Sequence, residues 1–243
     1  MDEHLNNSNE EMSPGGSKIY RHEDVEREWV FPEKFGVYMD EICAHMDKLY
    51  PNRKSYVLHE IVSDLVHIDV HVIEANSEIE GEDFQVIFTT GMSDLPMTMP
   101  DEMADEEKEI WQLAELVMLL PASQIKKDMP EEDYWPINLI KYLARLPHEY
   151  NTWLGDGHTV PNGPDYEPIV QNSQMSGVVI VGLGEDISPL TTKAGKQIHL
   201  LMVVPISKAE TQYKLEKGMD ELMQLLSNNN VSVITDIHRN SCL

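Results

Sequence analysis

The sequence predicts an α/β (α+β) fold: a single domain with a mixed central β-sheet and flanking helices. Three observations predict it. Short β-rich runs of sheet length recur along the chain. Stretches with apolar residues at spacings of three and four lie between and after them. No internal repeat or linker divides the chain, and 243 residues suit one large domain or two small ones.

The elements follow in order. Residues 1–18 read as a disordered acidic and polar tail, because Asn6-Asn7-Ser8-Asn9 and Pro14-Gly15-Gly16-Ser17 offer little apolar surface to offset ordering. The domain is expected over 19–243. Phe35, Met39, Ile42, Met46 and Leu49 mark one helix face, stopped by Pro51. Tyr56–Val62 and His67–Ile73 read as strands joined by a turn at Ser63-Asp64-Leu65. In the second, Ile68, Val70 and Val72 oppose His67, Asp69 and His71. Phe84–Thr89 is a further strand, Asp101–Glu109 an exposed helix or loop, and Leu116–Leu120 a buried strand. Leu139, Leu143 and Leu146 mark a helix from about Pro136 to Pro147. A long irregular stretch runs from His148 to about Met175. Val178–Leu183 and Ile198–Val204 read as strands. Ser207-Lys208-Ala209-Glu210 is a capping-box pattern, and one helix behind it carries Leu215, Met219, Leu222 and Leu226. Asn228-Asn229-Asn230 ends that helix, and Val231–Thr235 is read as a last strand.

Charge narrows the function classes. Eighteen Lys+Arg face 43 Asp+Glu, a formal net charge of -25. Such a surface repels phosphate backbones and anionic lipid, so neither nucleic acid nor a membrane surface is an expected partner. It fits a basic protein partner. No apolar run approaches the ~20 residues that span a bilayer, and the N-terminus lacks a signal-peptide pattern. Cys43 and Cys242 are too few for a disulfide framework. A cytoplasmic location is expected, and no cofactor.

Enzyme motifs fail on inspection. His59-Glu60 starts like a zinc-protease helix, but Ser63 stands where the second histidine belongs. Gly182-Leu183-Gly184 has Ile187 in place of a third glycine, and Gly91-Met92-Ser93-Asp94-Leu95 lacks the second glycine of a nucleophile elbow. Cys43 lies on an apolar helix face. Two constellations remain. His67, Asp69 and His71 share a strand face and, with His148 and His158, could hold zinc or iron, with Glu149 as general base of a hydrolase. The second is the aromatic and polar loop from Pro147 to Gly163. It mixes Tyr150, Asn151, Trp153, Asp156 and His158 in the manner of a binding surface.

These segments resemble the Suppressor of fused domain family, in its bacterial single-domain form. The matching stretches are His59-Glu60-Ile61-Val62-Ser63-Asp64 with His67-Ile68-Asp69-Val70-His71, and Thr90-Gly91-Met92-Ser93-Asp94 with Pro96-Met97. Glu115-Leu116 through Leu120-Pro121 and Trp135-Pro136 through Leu143-Ala144-Arg145 follow. Then come Asn151-Thr152-Trp153, Gly157-His158, and Ile234-Thr235-Asp236-Ile237 with Arg239. The joint order, from about Ile19 to the C-terminus, is more specific than any piece. The resemblance implies a fold like the N-terminal domain of the animal protein, a cytoplasmic regulator of Hedgehog signalling that holds a Gli peptide between two domains. This chain stops at Leu243, so the second half of that clamp is expected to be missing. The family's peptide-contacting aspartate precedes the histidine matching His158; here that position is Gly157, with Asp156 one step earlier. Gli binding is therefore not carried over. Some bacterial relatives resemble immunity proteins that neutralise toxins.

The expected function is a non-catalytic protein-binding module, of toxin-neutralising type, using Asp94, Tyr150, Asn151, Trp153, Asp156 and His158. The alternative is a metal-dependent hydrolase, or another enzyme, using the histidine–aspartate cluster.

Overall fold

Alternation and apolar runs become a sheet buried on both faces. The computed structural model describes residues 11–22, 27–126 and 128–243. In chain order the elements are β1 (Glu11–Met12), β2 (Lys18–Ile19), α1 (Met39–Leu49), β3 (Ser55–Leu58), β4 (Asp69–Ile73), β5 (Phe84–Thr90), α2 (Asp105–Trp111) and β6 (Ala114–Pro121). There follow α3 (Trp135–Glu149), β7 (Thr159–Pro161), β8 (Met175–Gly182), β9 (Leu190–Thr191), β10 (Gln197–Ser207), α4 (Lys208–Lys217) and α5 (Met219–Asn228). The main sheet runs β3-β4-β5-β6-β10-β8-β7, with β9 on β10. All its pairings are antiparallel except β6 with β10, which makes the sheet mixed as expected.

Helices cover both faces, so the central strands are apolar on both sides. On one face Ile140, Leu143 and Ala144 of α3 pack with Val70, Val72, Ile87, Leu116 and Met118. On the other, Ile42 and Met46 of α1 meet Ile73, Val86, Phe88, Val117 and Leu200. Leu222 and Leu226 of α5 close a third cluster with Val179 and Ile206. Fully burying side chains of this size contributes about 1.5–3 kcal/mol each. Among the described residues no helix is long and apolar enough to cross a membrane.

Several expectations are corrected. Of the tail, residues 1–10 lie outside the described residues. Glu11–Met12 and Lys18–Ile19 pair as a small antiparallel hairpin, with Ser13 buried, because Gly15 N–H finds the Leu215 carbonyl of α4 at 2.8 Å. Phe35 stands outside α1 and is half-exposed. The strand read over Tyr56–Val62 ends at Leu58, and a ten-residue connection, 59–68, replaces the tight turn. Pro147 does not stop α3. The helix runs two residues further and closes with Tyr150 N–H on the Leu146 carbonyl at 3.1 Å. A proline in the last turn forfeits only one backbone bond, and Pro147 is itself buried. The single helix after Ser207 is two, separated where the backbone leaves helical geometry at Gly218, φ 96°. Val231–Thr235 is not a strand. It contributes one bridge, Thr235 N–H to the Leu119 carbonyl at 2.8 Å, at the end of β6 beyond its register with β10.

Candidate functional site

The long loop after α3 is held by backbone on both sides. Asn151 turns with φ 48°. Thr152 donates to the Pro147 carbonyl at 2.9 Å and accepts from Thr98 N–H at 3.0 Å. Further on, Gly157 N–H and the His158 carbonyl exchange bonds with Ile180 of β8, both at 2.8 Å. A rigid scaffold thus presents the stretch 150–158.

Its side chains form one aromatic cluster. The Trp153 ring meets His158 edge-on, with centroids 4.3 Å apart. Gly155 permits this, since a Cβ there would lie 2.5 Å from the Trp153 ring. The Trp153 indole nitrogen is buried and has no acceptor among the described residues, which costs free energy as an unmet donor. Burial, aided by the nearby Lys214 charge, pushes the His158 imidazole down to about 4, so it is neutral at pH 7. Burial lowers Lys214 as well. Asp156 is exposed and accepts Gly182 N–H at 2.8 Å. Asn151 is exposed too.

The chain's own N-terminal segment lies on this cluster. Tyr20 packs on His158 with centroids 6.2 Å apart, and His22 on Tyr150 at 5.3 Å. Tyr20 and His22 stack on each other, and Lys214 donates to Ser17 Oγ at 3.4 Å. Apart from the Tyr20–His22 stack, these contacts span more than a hundred residues, and nothing local in the sequence signals them.

Asp94 is not beside the loop's solvent face. It is buried and accepts Gly36 N–H at 2.6 Å and Val37 N–H at 2.7 Å. Burial raises its carboxyl above the usual range, against the pull of these two bonds. Its neighbour is Glu115, fully buried and pushed up to about 7 by desolvation. Glu115 accepts from Thr89 Oγ1 and Ser93 Oγ, both at 2.6 Å, and from the N–H groups of Gly91 and Ser93 at 3.0 and 2.9 Å. It therefore organises the turn after β5. Gly91 is required in that turn: φ is 108°, and a Cβ would come within 1.8 Å of the His67 carbonyl oxygen.

The histidine–aspartate cluster divides into separate structural bonds. His59 Nδ1 and His67 Nε2 both donate to Asp69, at 2.8 and 3.0 Å, and Asp69 also accepts Glu60 N–H at 2.8 Å. Ser63 Oγ lies 2.7 Å from His67 Nδ1. Ser63, His67 and Asp69 thus have the order of a nucleophilic triad, but Ser63 is buried and the carboxylate is filled by three donors. His71 points elsewhere, stacked on Phe88 at 4.7 Å and bonded to Thr90 Oγ1 at 3.0 Å. His148 donates to the Met92 carbonyl at 2.9 Å. Burial lowers both of these imidazoles. Among the described residues no group of three or more histidine, cysteine or acidic side chains could hold a metal ion.

The model of the Suppressor of fused protein family matches residues 64–240, more than half of the chain. The chain belongs to this family. Solved Suppressor of fused structures share its fold at low sequence identity. A homologue from Neisseria gonorrhoeae FA 1090 is 15% identical, with TM-score 0.60, over 85% of this chain and 97% of that one. A chain of the Sufu–Fu complex is 14% identical, with TM-score 0.62, over 86% and 93%. Drosophila Suppressor of fused is 15% identical, with TM-score 0.60, over 83% of this chain and 50% of that one, so this chain spans about half the Drosophila protein's length. No curated protein matches the chain. The family match includes the aspartate–histidine strand, the Glu115 turn, the loop 150–158 and Arg239.

Proposed function

We propose that this chain is a non-catalytic protein-binding module, and that its loop surface, Tyr150, Asn151, Trp153, Asp156 and His158, seats an extended segment of a basic partner. The observation that carries this reading is the N-terminal segment lying there: Tyr20 on His158 and His22 on Tyr150. A surface that seats an extended piece of its own chain has the shape and chemistry to seat one from a partner. Trp153 supplies an aromatic anchor, its ring packed edge-on against His158. Asp156 supplies charge for a Lys or Arg. The net charge of -25 hastens encounter with a cationic protein. Support also comes from the solved complex of a family member with Fu. A basic toxin neutralised in the cytoplasm is the partner class that this charge favours.

The experiment is affinity capture from a cell lysate by the wild type and by Trp153→Ala/Asp156→Ala, with circular dichroism to check the fold. A discrete basic protein retained by the wild type and lost by the folded variant is the expected result. Equal retention by both removes this surface from the function.

A further inference from the structure

A second surface carries large apolar side chains in water. Trp29 and Phe31 are 55% and 59% exposed, and Ile61 and Val62 are 96% and 74% exposed. The Trp29, Phe31 and Phe35 rings contact in series, with centroids 5.6 and 5.3 Å apart, and Phe35 continues onto His67 at 5.2 Å. One bond to the Asp64 carboxylate and one backbone bond join this stretch to the 59–68 connection that carries Ile61 and Val62. Val30 N–H donates to Asp64 at 2.9 Å, and Leu65 N–H to the Val30 carbonyl at 2.9 Å. Arg27 pairs with Asp64 at 2.8 Å. Two buried groups brace the patch from below: Asp94 holds Gly36 and Val37, and Asp69 holds His67.

Contiguous exposed aromatics on a braced backbone mark an interaction surface. Its charges choose the occupant. Glu28 and Glu33 are exposed beside the rings, with Lys34 opposing them, and Arg27 is neutralised by Asp64. The whole chain carries -25. A second copy would bring the same acidic rim and the same charge against this one, and an anionic lipid surface would be repelled likewise. We propose that the patch docks a cationic amphipathic segment of a partner protein, its apolar face on Trp29, Phe31, Phe35 and Ile61 and its basic residues against Glu28 and Glu33. The inference rests on exposure and charge at this patch and is independent of the loop surface.

The test uses the full chain and a synthetic Leu/Lys amphipathic helix as probe, with a Leu/Glu helix of the same apolar pattern as control. Calorimetry compares the wild type, Trp29→Ser/Phe31→Ser, and the single variant Ile61→Ser. All three substituted side chains are exposed, so the fold is expected to survive, and a thermal melt verifies it. The Leu/Lys helix is expected to bind the wild type and to lose about 30-fold in affinity with the double variant, the scale of an aromatic hot spot. Ile61→Ser weakens it less, and the Leu/Glu helix does not bind. Equal binding by wild type and patch variants overturns the proposal. So does concentration-dependent dimerisation abolished by the patch variants, which assigns the patch to a second copy. Adsorption to phosphatidylserine vesicles abolished by those variants overturns it in favour of a membrane.

Discussion

Glu115 sits alone among apolar neighbours in β6, surrounded by four donors and no cation. Desolvation dominates, and its carboxyl titrates near 7 instead of 4.5. Between those values the folded state holds a proton that the unfolded state releases. Its contribution to stability is therefore complete below about 4.5 and is lost as pH rises through about 7. That window corresponds to about 3 kcal/mol. Denaturant unfolding of the wild type and Glu115→Gln at pH 4.5 and 7 checks it: the variant gains relative to the wild type as pH rises. A pH-independent difference would place the carboxylate outside this role. A lone acid within the apolar run from Leu113 to Leu120 was the available sequence signal. Its meaning depended on Thr89 and Ser93, which local spacing does not place beside it.

At the scale of elements, one acid joins two distant pieces. Glu210 belongs to the capping box at the start of α4, where Ser207 Oγ accepts Glu210 N–H at 3.1 Å and Glu210 accepts Ser207 N–H at 2.8 Å. It also takes both Arg239 nitrogens, at 2.7 and 2.8 Å, and Cys242 N–H at 3.0 Å. Despite burial these partners hold its carboxyl down to about 2. This stability is present above about 4.5 and lost as pH falls through about 2. Arg239→Ala leaves a buried carboxylate unpaired and is expected to cost about 3–5 kcal/mol, measured by urea unfolding. A loss under about 1 kcal/mol, the scale of an exposed pair, would contradict the assignment. The capping box was legible because its two residues are three apart. The Arg239 bond was not, because it joins positions 29 apart through the end of the fold. The same physics explains the elements misread. Pro147 and Gly218 act on one or two backbone bonds, and whether a helix survives them depends on what the flanking turns bury.

For the whole molecule, composition indicated the charge and the apolar runs indicated the sheet. The fold class was legible because strands such as β6 and β10 are apolar over most of their length and the helix faces of α1 and α3 repeat at three and four. Half of the candidate site was legible too: Trp153, Asp156 and His158 stand in one loop. Their cover, Tyr20 and His22, follows a stretch whose Asn, Gly and Ser content resembles a tail, and only tertiary packing places it. The sequence groups Asp94 with the loop and does not show its burial, which depends on the chain at Gly36 and Val37. The net charge of -25 has its own consequence. Raising ionic strength from about 0.01 to about 0.15 M shortens the screening length from about 30 to about 8 Å, so self-repulsion falls and the thermal midpoint is expected to rise. A midpoint that falls with salt would mean that ion pairs such as Lys18–Glu102 and Lys196–Glu109 outweigh the repulsion.

The central claim is that the loop surface binds a basic protein, and calorimetric titration of the captured partner tests it most directly. Wild type and Trp153→Ala/Asp156→Ala are compared at equal salt. The variant is expected to bind at least about 30-fold more weakly, the loss of one hot spot. An unchanged Kd in a folded variant would contradict the claim.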